Sequence, residues 1–379
     1  MRIFHNLNVD FLGKRKLFYI LSFSLFFIGV IGVIFRGLNF GIDFKGGLEI
    51  VLQFDKKIDV HQVRKNIENI GLGNIEVRTF GNETGALIRT ELQEIPKKVY
   101  PQVVKNIETE IKNAIPNISY NIVDTTSNSI TYSFSDPSTT NLIAEKLFAV
   151  GYQTSKISEE PTNTQMTVSI GIADWIKQNL RDKIKNNSFK VLKEDRVGPK
   201  VGSELKRDAV FAVLFALVAI LIYLGLRFKF VFAVGAVLAL FHDVLITLGL
   251  FATLYSVIPG LNLEIDLTII AAFLTLIGYS INDTVIVFDR VRENMKINKT
   301  LPLFDVINKS VNQTMSRTII TSFLVLLSVF VLLILGGEVL RAFAFTLFFG
   351  IIIGTYSSIF VASSFVYEYA TKFKRKIEF

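Results

Sequence analysis

Apolar residues run almost uninterrupted through 17–35, 209–226, 230–254, 266–288, 318–335 and 342–367. Each run is long enough to cross about 30 Å of hydrocarbon at about 1.5 Å of rise per residue, so the pattern predicts six membrane-spanning helices. Only Leu226-Arg227-Phe228-Lys229 joins the second run to the third, which predicts a tight helical hairpin. The first run follows Lys14-Arg15-Lys16, as a signal peptide's core would. Its apolar stretch is longer than a signal core and no small-residue cleavage site follows, so it reads as an uncleaved anchor.

Between residues 37 and 207 the pattern shortens. After "NFGIDFKGG" it predicts a strand at 48–54, an amphipathic helix at 59–70 with Val60, Val63, Ile67 and Ile70 on one side, and strands at 74–80 and 86–92. A helix near 97–113 and a strand near 118–123 complete the order βαββαβ, the ferredoxin-like split unit. A similar order returns with strands at 129–134, 152–157, 165–171 and 188–193 and helices at 139–149 and 173–185. Two lobes, 48–123 and 129–193, fit this pattern, and so does one lobe with a long insertion, because the halves share little identity. The expected fold class is an all-α six-helix membrane bundle carrying a large external α+β domain between its first two spans. The divisions fall at 1–36, 37–207 and 208–379.

Composition agrees with a membrane protein: 50% of residues are hydrophobic and 34 are Phe. The net charge of +8 is unevenly placed. Arg2, Lys14, Arg15 and Lys16 precede the first span, Arg227 and Lys229 follow the second, and Arg290, Arg292, Lys296, Lys299, Lys309 and Arg317 follow the fourth. Lys372, Lys374, Arg375 and Lys376 lie in the tail, while loops 255–265 and 336–341 carry only Arg341. The positive-inside rule puts both termini in the cytoplasm and the 37–207 segment outside. The charge is thus largely topological and does not point to nucleic acid. With no cysteine, packing alone must hold the external domain, and thiol chemistry is excluded. His5, His61 and His242 are the only histidines, which argues against a histidine metal site. Neither half of the external segment shows a nucleophile–base pair and the chain has no GxxxxGK[ST] loop, so it does not read as an enzyme or as an ATPase of that type.

Three apolar runs contain polar groups that are expensive in hydrocarbon. Asp243 follows His242 about thirteen residues into the third span, roughly 20 Å deep; Asp283, between Asn282 and Thr284, lies about 8 Å from the inner end of the fourth. Arg317 stands at the entrance to the fifth, where a snorkelling helix-end arginine fits as well as a functional one, and a helix–helix hydrogen bond is the plain alternative for Asp283. An aspartate near the bilayer centre costs about 3 kcal/mol, which makes Asp243 the hardest to dismiss. His242, one residue earlier, is expected on a different face and is read as packing. A carboxylate that alternates between a dry setting and a wet or arginine-paired one can take up and release protons. One charge crossing the membrane potential is worth about 2.3 kcal/mol per 100 mV, enough to bias a two-state change. In the sixth span Gly350, Gly354 and Ser358 form a small-xxx-small ridge for close helix packing.

Several stretches together resemble the SecF family of the resistance-nodulation-division superfamily. They are "NFGIDFKGG" with Gly41, Asp43, Gly46 and Gly47, "VGPKVGSEL" with Gly198, Pro199 and Gly202, "FHDV", "IGYSINDTVIVFDRVREN", "SRTIITS" and "GGEVLRAFAFTLFFGIIIGTYSSIF". The resemblance implies a bacterial inner-membrane subunit that pairs with SecD and assists the Sec translocon channel and its accessory subunits. Proton flow would move external domains that pull unfolded exported polypeptides across. Protons are the implied coupling ion, with no other cofactor. The implied relay residues are Asp283 and Arg317, flanked by Asn282 and Thr284, with Asp243 in a shared motif and a SecD carboxylate completing the site. The family's usual single small domain would leave an excess here between about 125 and 188. Other readings are half of a small-molecule proton-antiport exporter and a passive translocon assembly factor.

Overall fold

A computed structural model describes residues 7–68, 70–73, 75–126, 128–156, 160, 162–255, 257 and 261–373. Arg2, His5 and the tail lysines and arginine at 374–376 lie outside the described residues, as do positions 74 and 157 at the ends of two expected strands. In chain order the elements are α1 (Arg15–Arg36), α2 (Ile42–Lys45), β1 (Gly47–Phe54), α3 (Val60–Glu68), β2 (Glu76–Phe80), β3 (Asn82–Thr90) and α4 (Tyr100–Ala114). Next come β4 (Tyr120–Thr125), β5 (Ser129–Phe134), α5 (Pro137–Val150), β6 (Thr154–Lys156), β7 (Gln165–Ser169), α6 (Ile172–Lys183) and β8 (Phe189–Val197). The chain then runs through α7 (Pro199–Arg227), α8 (Phe230–Leu254), α9 (Leu267–Ile297), α10 (Leu303–Leu335), α11 (Gly337–Ser357), a π-helical turn (Ser358–Ala362) and α12 (Ser363–Lys372). Contacts divide it into one unit of residues up to Phe44 and from Glu204 onward, and a second unit, Lys45–Ser203.

Among the described residues six helices are long and apolar enough to cross a membrane, the sixth being α11, the π turn and α12 together. The stretch 289–317, expected as a loop, is helical except at 298–302. Its helices extend past the apolar runs because buried Asn294 ties them together, donating from Nδ2 to Ser310 Oγ and Gln313 Oε1, both at 2.8 Å. The first span is held by small residues that its sequence did not single out. Ser22, Gly29 and Gly32 are the buried positions of α1, and a Cβ on Gly29 would stand 2.8 Å from Gly249 Cα of α8. Gly32 approaches Thr253 equally closely, so the two helices run parallel at backbone contact.

The N-terminus of α9 is doubly capped. Asp266 Oδ1 accepts from Ile269 N at 2.9 Å, and Asp43 Oδ2 accepts from Leu267 N at 3.0 Å. The preceding backbone is fixed by Gly41 N donating to Ile265 O and Ile265 N to Asn39 O, both at 2.8 Å. Two carboxylates at helix-start amides satisfy donors that the helix cannot. Replacing Asp43 with Ala is expected to cost about 1 kcal/mol, read as a lower thermal midpoint of the purified protein.

The second unit contains two four-stranded antiparallel sheets, ordered β2-β3-β1-β8 and β4-β5-β7-β6. In each, a split βαβ places one strand between two parallel ones: β3 between β1 and β2, and β7 between β5 and β6. The fourth strands are exchanged relative to the expected lobes 48–123 and 129–193. β4, expected to finish the first, pairs with β5, and β8, expected to finish the second, pairs with β1. Their helices follow, α4 packing on α5 and α6 on α3. Strand pairing is non-local, and either partner satisfies the same alternation of side chains. The two sheets share one apolar core that includes Ile50, Ile88, Ile107, Tyr132, Val168 and Trp175.

Gly46 and Gly47 have φ of +75° and +124°, and a Cβ on Gly47 would fall 2.4 Å from Thr90 O, so both positions require glycine. Gly202 N donates to Gly198 O at 2.9 Å as α7 begins, with Pro199 at its first position, where a missing N–H is harmless. Trp175, the only tryptophan, is 2% exposed and donates from Nε1 to Ile70 O at 3.2 Å, bridging the exchanged α6 to the first lobe. Trp175→Ala is expected to destabilise this unit by about 3–5 kcal/mol, seen as faster limited proteolysis between residues 45 and 203.

Asp136 caps α5, accepting from Thr139 N at 2.8 Å and Thr139 Oγ1 at 2.7 Å, and these bonds hold its carboxyl below the ordinary aspartate range. A depressed carboxyl contributes stability above the unfolded value, about 3.9, and loses it as pH falls through the folded one. Amide protection of α5 should therefore weaken in that acidic window, and Asp136→Asn should remove the dependence.

Candidate functional site in the membrane helices

Two carboxylates are buried among the spans, each at 1% exposure. Asp243 of α8 is densely bonded. Its Oδ2 accepts from Ser280 Oγ of α9 at 2.6 Å and Ser357 Oγ of α11 at 2.9 Å. Its Oδ1 lies 2.9 Å from His242 Nδ1. His242 was expected to face away, as neighbours on a helix diverge by about 100°. The imidazole instead folds back along the helix surface to the adjacent carboxylate. Its Nε2 is 3.2 Å from the Tyr356 hydroxyl, which lies 3.2 Å from Ser22 Oγ of α1.

Asp283 of α9 is sparsely bonded. Ser322 Oγ of α10 donates to its Oδ2 at 3.2 Å, and among the described residues Oδ1 has no partner. Ser322 in turn accepts from Thr355 Oγ1 of α11 at 2.9 Å. The tetrapeptide Thr355-Tyr356-Ser357-Ser358 thus touches both carboxylate clusters: Thr355 through Ser322, Ser357 directly, Tyr356 through His242. Ser358 opens the π turn, donating to Thr355 O at 3.0 Å, while its own carbonyl accepts from Ser363 Oγ at 2.9 Å. Such turns bend a helix and are frequent at functional sites.

The other expected residues are placed as follows. Arg317 is exposed on α10, about 7 Å along the axis from Ser322, close enough to act on Asp283 electrostatically but in no ion pair with it. It lines a cleft of about 800 Å³ with Arg290, Lys309, Asn312, Gln313 and Ser316. Asn282 is exposed and so points away from Asp283. Thr284 is buried and donates to Ser280 O of its own helix at 3.4 Å. Gly350 and Gly354 admit α9: a Cβ on Gly350 would meet the Leu276 side chain at 2.5 Å, and one on Gly354 would meet Ser280 Oγ at 2.8 Å and Asp243 Oδ2 at 3.3 Å. Among the described residues no group of three or more His, Cys, Asp or Glu side chains gathers as a metal site would need. Reading by polarity missed Ser22, Tyr356, Ser280, Ser322 and Ser357. Serine and tyrosine are common in spans, and only their convergence on a carboxylate distinguishes them.

A bundle of six spans built round two buried carboxylates, with an α+β domain between the first two, defines a polytopic membrane protein with titratable groups inside its spans. Residues 176–372 match the family described as protein export membrane protein SecD/SecF, C-terminal, and residues 31–58 match the SecD/SecF GG motif, where Gly46 and Gly47 lie. The protein translocase subunit SecF of Calditerrivibrio nitroreducens is 39% identical over 363 residues, covering 95% of this chain and 93% of that one. SecF of Rhodothermus marinus is 38% identical, covering 97% and 95%. The crystal structure of SecDF from Thermus thermophilus, described as a translocon-associated membrane protein, superposes with a TM-score of 0.63 at 29% identity, over 97% of this chain and 39% of that chain. The chain belongs to the SecF family, and its role is that of a SecF subunit in protein translocation. The segment 125–188, expected as an excess over the family, falls within the length that these SecF relatives share.

Proposed function

We propose that this subunit acts with a SecD-type partner in the bacterial inner membrane and couples proton flow to the Sec-dependent movement of unfolded polypeptides. Both termini face the cytoplasm and the Lys45–Ser203 unit faces the periplasm. The observation that carries the reading is Asp283: a carboxylate 1% exposed, with one oxygen unpartnered among the described residues. Such a group is costly to keep unless protons or a partner's side chain reach it. The exposed Arg317 and Asn282 offer charge and hydrogen bonds to a second protein. That this chain matches 39% of the SecDF chain supports a partner occupying the remainder.

In the proposed cycle Asp283 loads a proton when opened to one side and releases it toward Arg317 when opened to the other. The sixth span links Asp283 to Asp243 through Thr355 and Ser357 and carries the change across the bundle. The test uses inverted membrane vesicles containing the complex. Export should respond to an imposed proton gradient with the native chain, and tagged native chain should co-isolate a SecD-type protein. A chain that isolates alone and exports without regard to the gradient would sink the reading.

A further inference from the structure

The relay built on Asp283 leaves His242 without a task. This histidine joins a buried carboxylate to two hydroxyls on other helices in the order Asp243, His242, Tyr356, Ser22, with contacts of 2.9, 3.2 and 3.2 Å. The His242 side chain is only 15% exposed. Tyr356 also packs edge-on against the imidazole, with ring centroids 5.6 Å apart at 85°. The ring is thereby fixed at both nitrogens. Among the described residues, the groups that α1, α9 and α11 turn toward the pair are Ser22, Ser280, Tyr356, Ser357 and the backbone at Gly354. Of these Tyr356 alone is titratable, and no other charged side chain contacts it.

Hydroxyls at the far end let the chain serve either protonation state without moving heavy atoms. With neutral imidazole, Nδ1–H donates to Asp243 and Nε2 accepts from the Tyr356 hydroxyl, whose oxygen accepts from Ser22. With imidazolium, Nε2–H donates to the Tyr356 oxygen, and both hydroxyls rotate to donate onward. A packing histidine has no need of such a reversible acceptor. We propose that His242 and Asp243 form a second proton-holding pair, in which one proton passes between Nδ1 and Oδ1. In that step the Nδ1–H bond breaks and an Oδ1–H bond forms, so that imidazolium and carboxylate become carboxylic acid and neutral imidazole with its remaining proton on Nε2, donated to the Tyr356 oxygen. The inference rests on the proton-coupled reading above and adds a site to it.

The hydrogen-bonded chain spans three helices that must move for this site to matter. His242 and Asp243 ride on α8, Tyr356 and Ser357 on α11, and Ser22 on α1, so separating α1 from α11 would remove the outer hydroxyl and bias the proton toward one member.

The three histidines make the test direct. His5→Gln and His61→Gln leave a single imidazole, which is ¹⁵N-labelled in the full chain assembled with its partner in lipid. His242 should carry a proton on Nδ1 whenever the Asp243 carboxylate is charged, and Asp243→Asn should shift that Nδ1 signal. Tyr356→Phe keeps the ring contact and should change the Nε2 signal alone, which serves if Asp243→Asn does not assemble. In vesicles, His242→Gln should change the shape of the pH profile of gradient-driven export, whereas loss of packing would scale it down uniformly. An Nδ1 that carries no proton at any pH sampled, or whose signal is the same in the native chain and in Asp243→Asn, overturns the proposal. The Asp283 relay would be untouched by that result, and an Asp283→Asn variant with normal coupling would leave the Nδ1 result standing.

Discussion

Export driven by the proton gradient is expected to fall to its gradient-independent level in Asp283→Asn, while export powered by other means and co-isolation of the partner persist. Asparagine is nearly isosteric, and its Oδ1 still accepts from Ser322 Oγ, so the α9–α10 contact survives. What disappears is the ability to gain and lose a charge. One elementary charge across 100 mV contributes about 2.3 kcal/mol, a bias of about 50-fold between two conformations. A passive docking role predicts the opposite pattern, because an amide hydrogen-bonds across helices as well as a carboxyl does. Full gradient-driven export in the variant would therefore end the relay idea and leave docking in place. Arg317→Lys keeps the charge but not the planar fork, and should retain more activity than Arg317→Ala if charge alone acts on Asp283.

Gly354→Val should be the most damaging single substitution in the sixth span. Its branched side chain would enter the space of Ser280 Oγ and Asp243 Oδ2, at 2.8 and 3.3 Å from the Cβ position. Those atoms are bonded to each other at 2.6 Å and have no freedom to retreat without leaving a buried carboxylate short of a donor. Overpacking costs about 1–3 kcal/mol, and a lost buried hydrogen bond adds a similar amount. Gly350→Val meets only the ends of the Leu276 side chain, which can turn aside, so its cost is expected to be clearly smaller. Thermal inactivation in detergent compares the two directly. Equal midpoints would mean that the Asp243 cluster is more plastic than its geometry indicates.

The spans and most strands were legible because each is a local statement. A run of about twenty apolar residues or an alternation of period two needs no knowledge of its partners. Boundaries drifted where polar residues made a helix continue, as at Asn294 beyond the fourth apolar run. The exchange of β4 and β8 was illegible for a physical reason. Both strands suit either sheet by pattern, and only the packing of α4 on α5 and α6 on α3 decides. At the site, Asp243 and Asp283 stood out because carboxylates are rare in hydrocarbon. His242 was misjudged because direction was assigned from the backbone alone, although an imidazole can reach a neighbouring carboxylate. The Ser22, Gly29 and Gly32 stripe went unread for want of its complement, Gly249 and Thr253, more than two hundred residues away.

The exchanged strands also decide how the Lys45–Ser203 unit can be made and handled. Gly47 at the start of β1 pairs with Val197 at the end of β8, so the first sheet stays open until nearly the whole unit has left the ribosome. During that interval β1 presents a bare hydrogen-bonding edge, which the second sheet, built from β4 to β7, cannot cover. Long loop closures of this kind slow folding and leave edges open to mispairing. Neither half is a cassette: cutting after residue 123 or beginning at 129 would strip one sheet of its outer strand and leave the other with a strand lacking its register. Grafts between relatives should therefore exchange the unit whole, from the Gly46-Gly47 turn to the Gly198-Pro199 helix start, where the two ends of the unit meet.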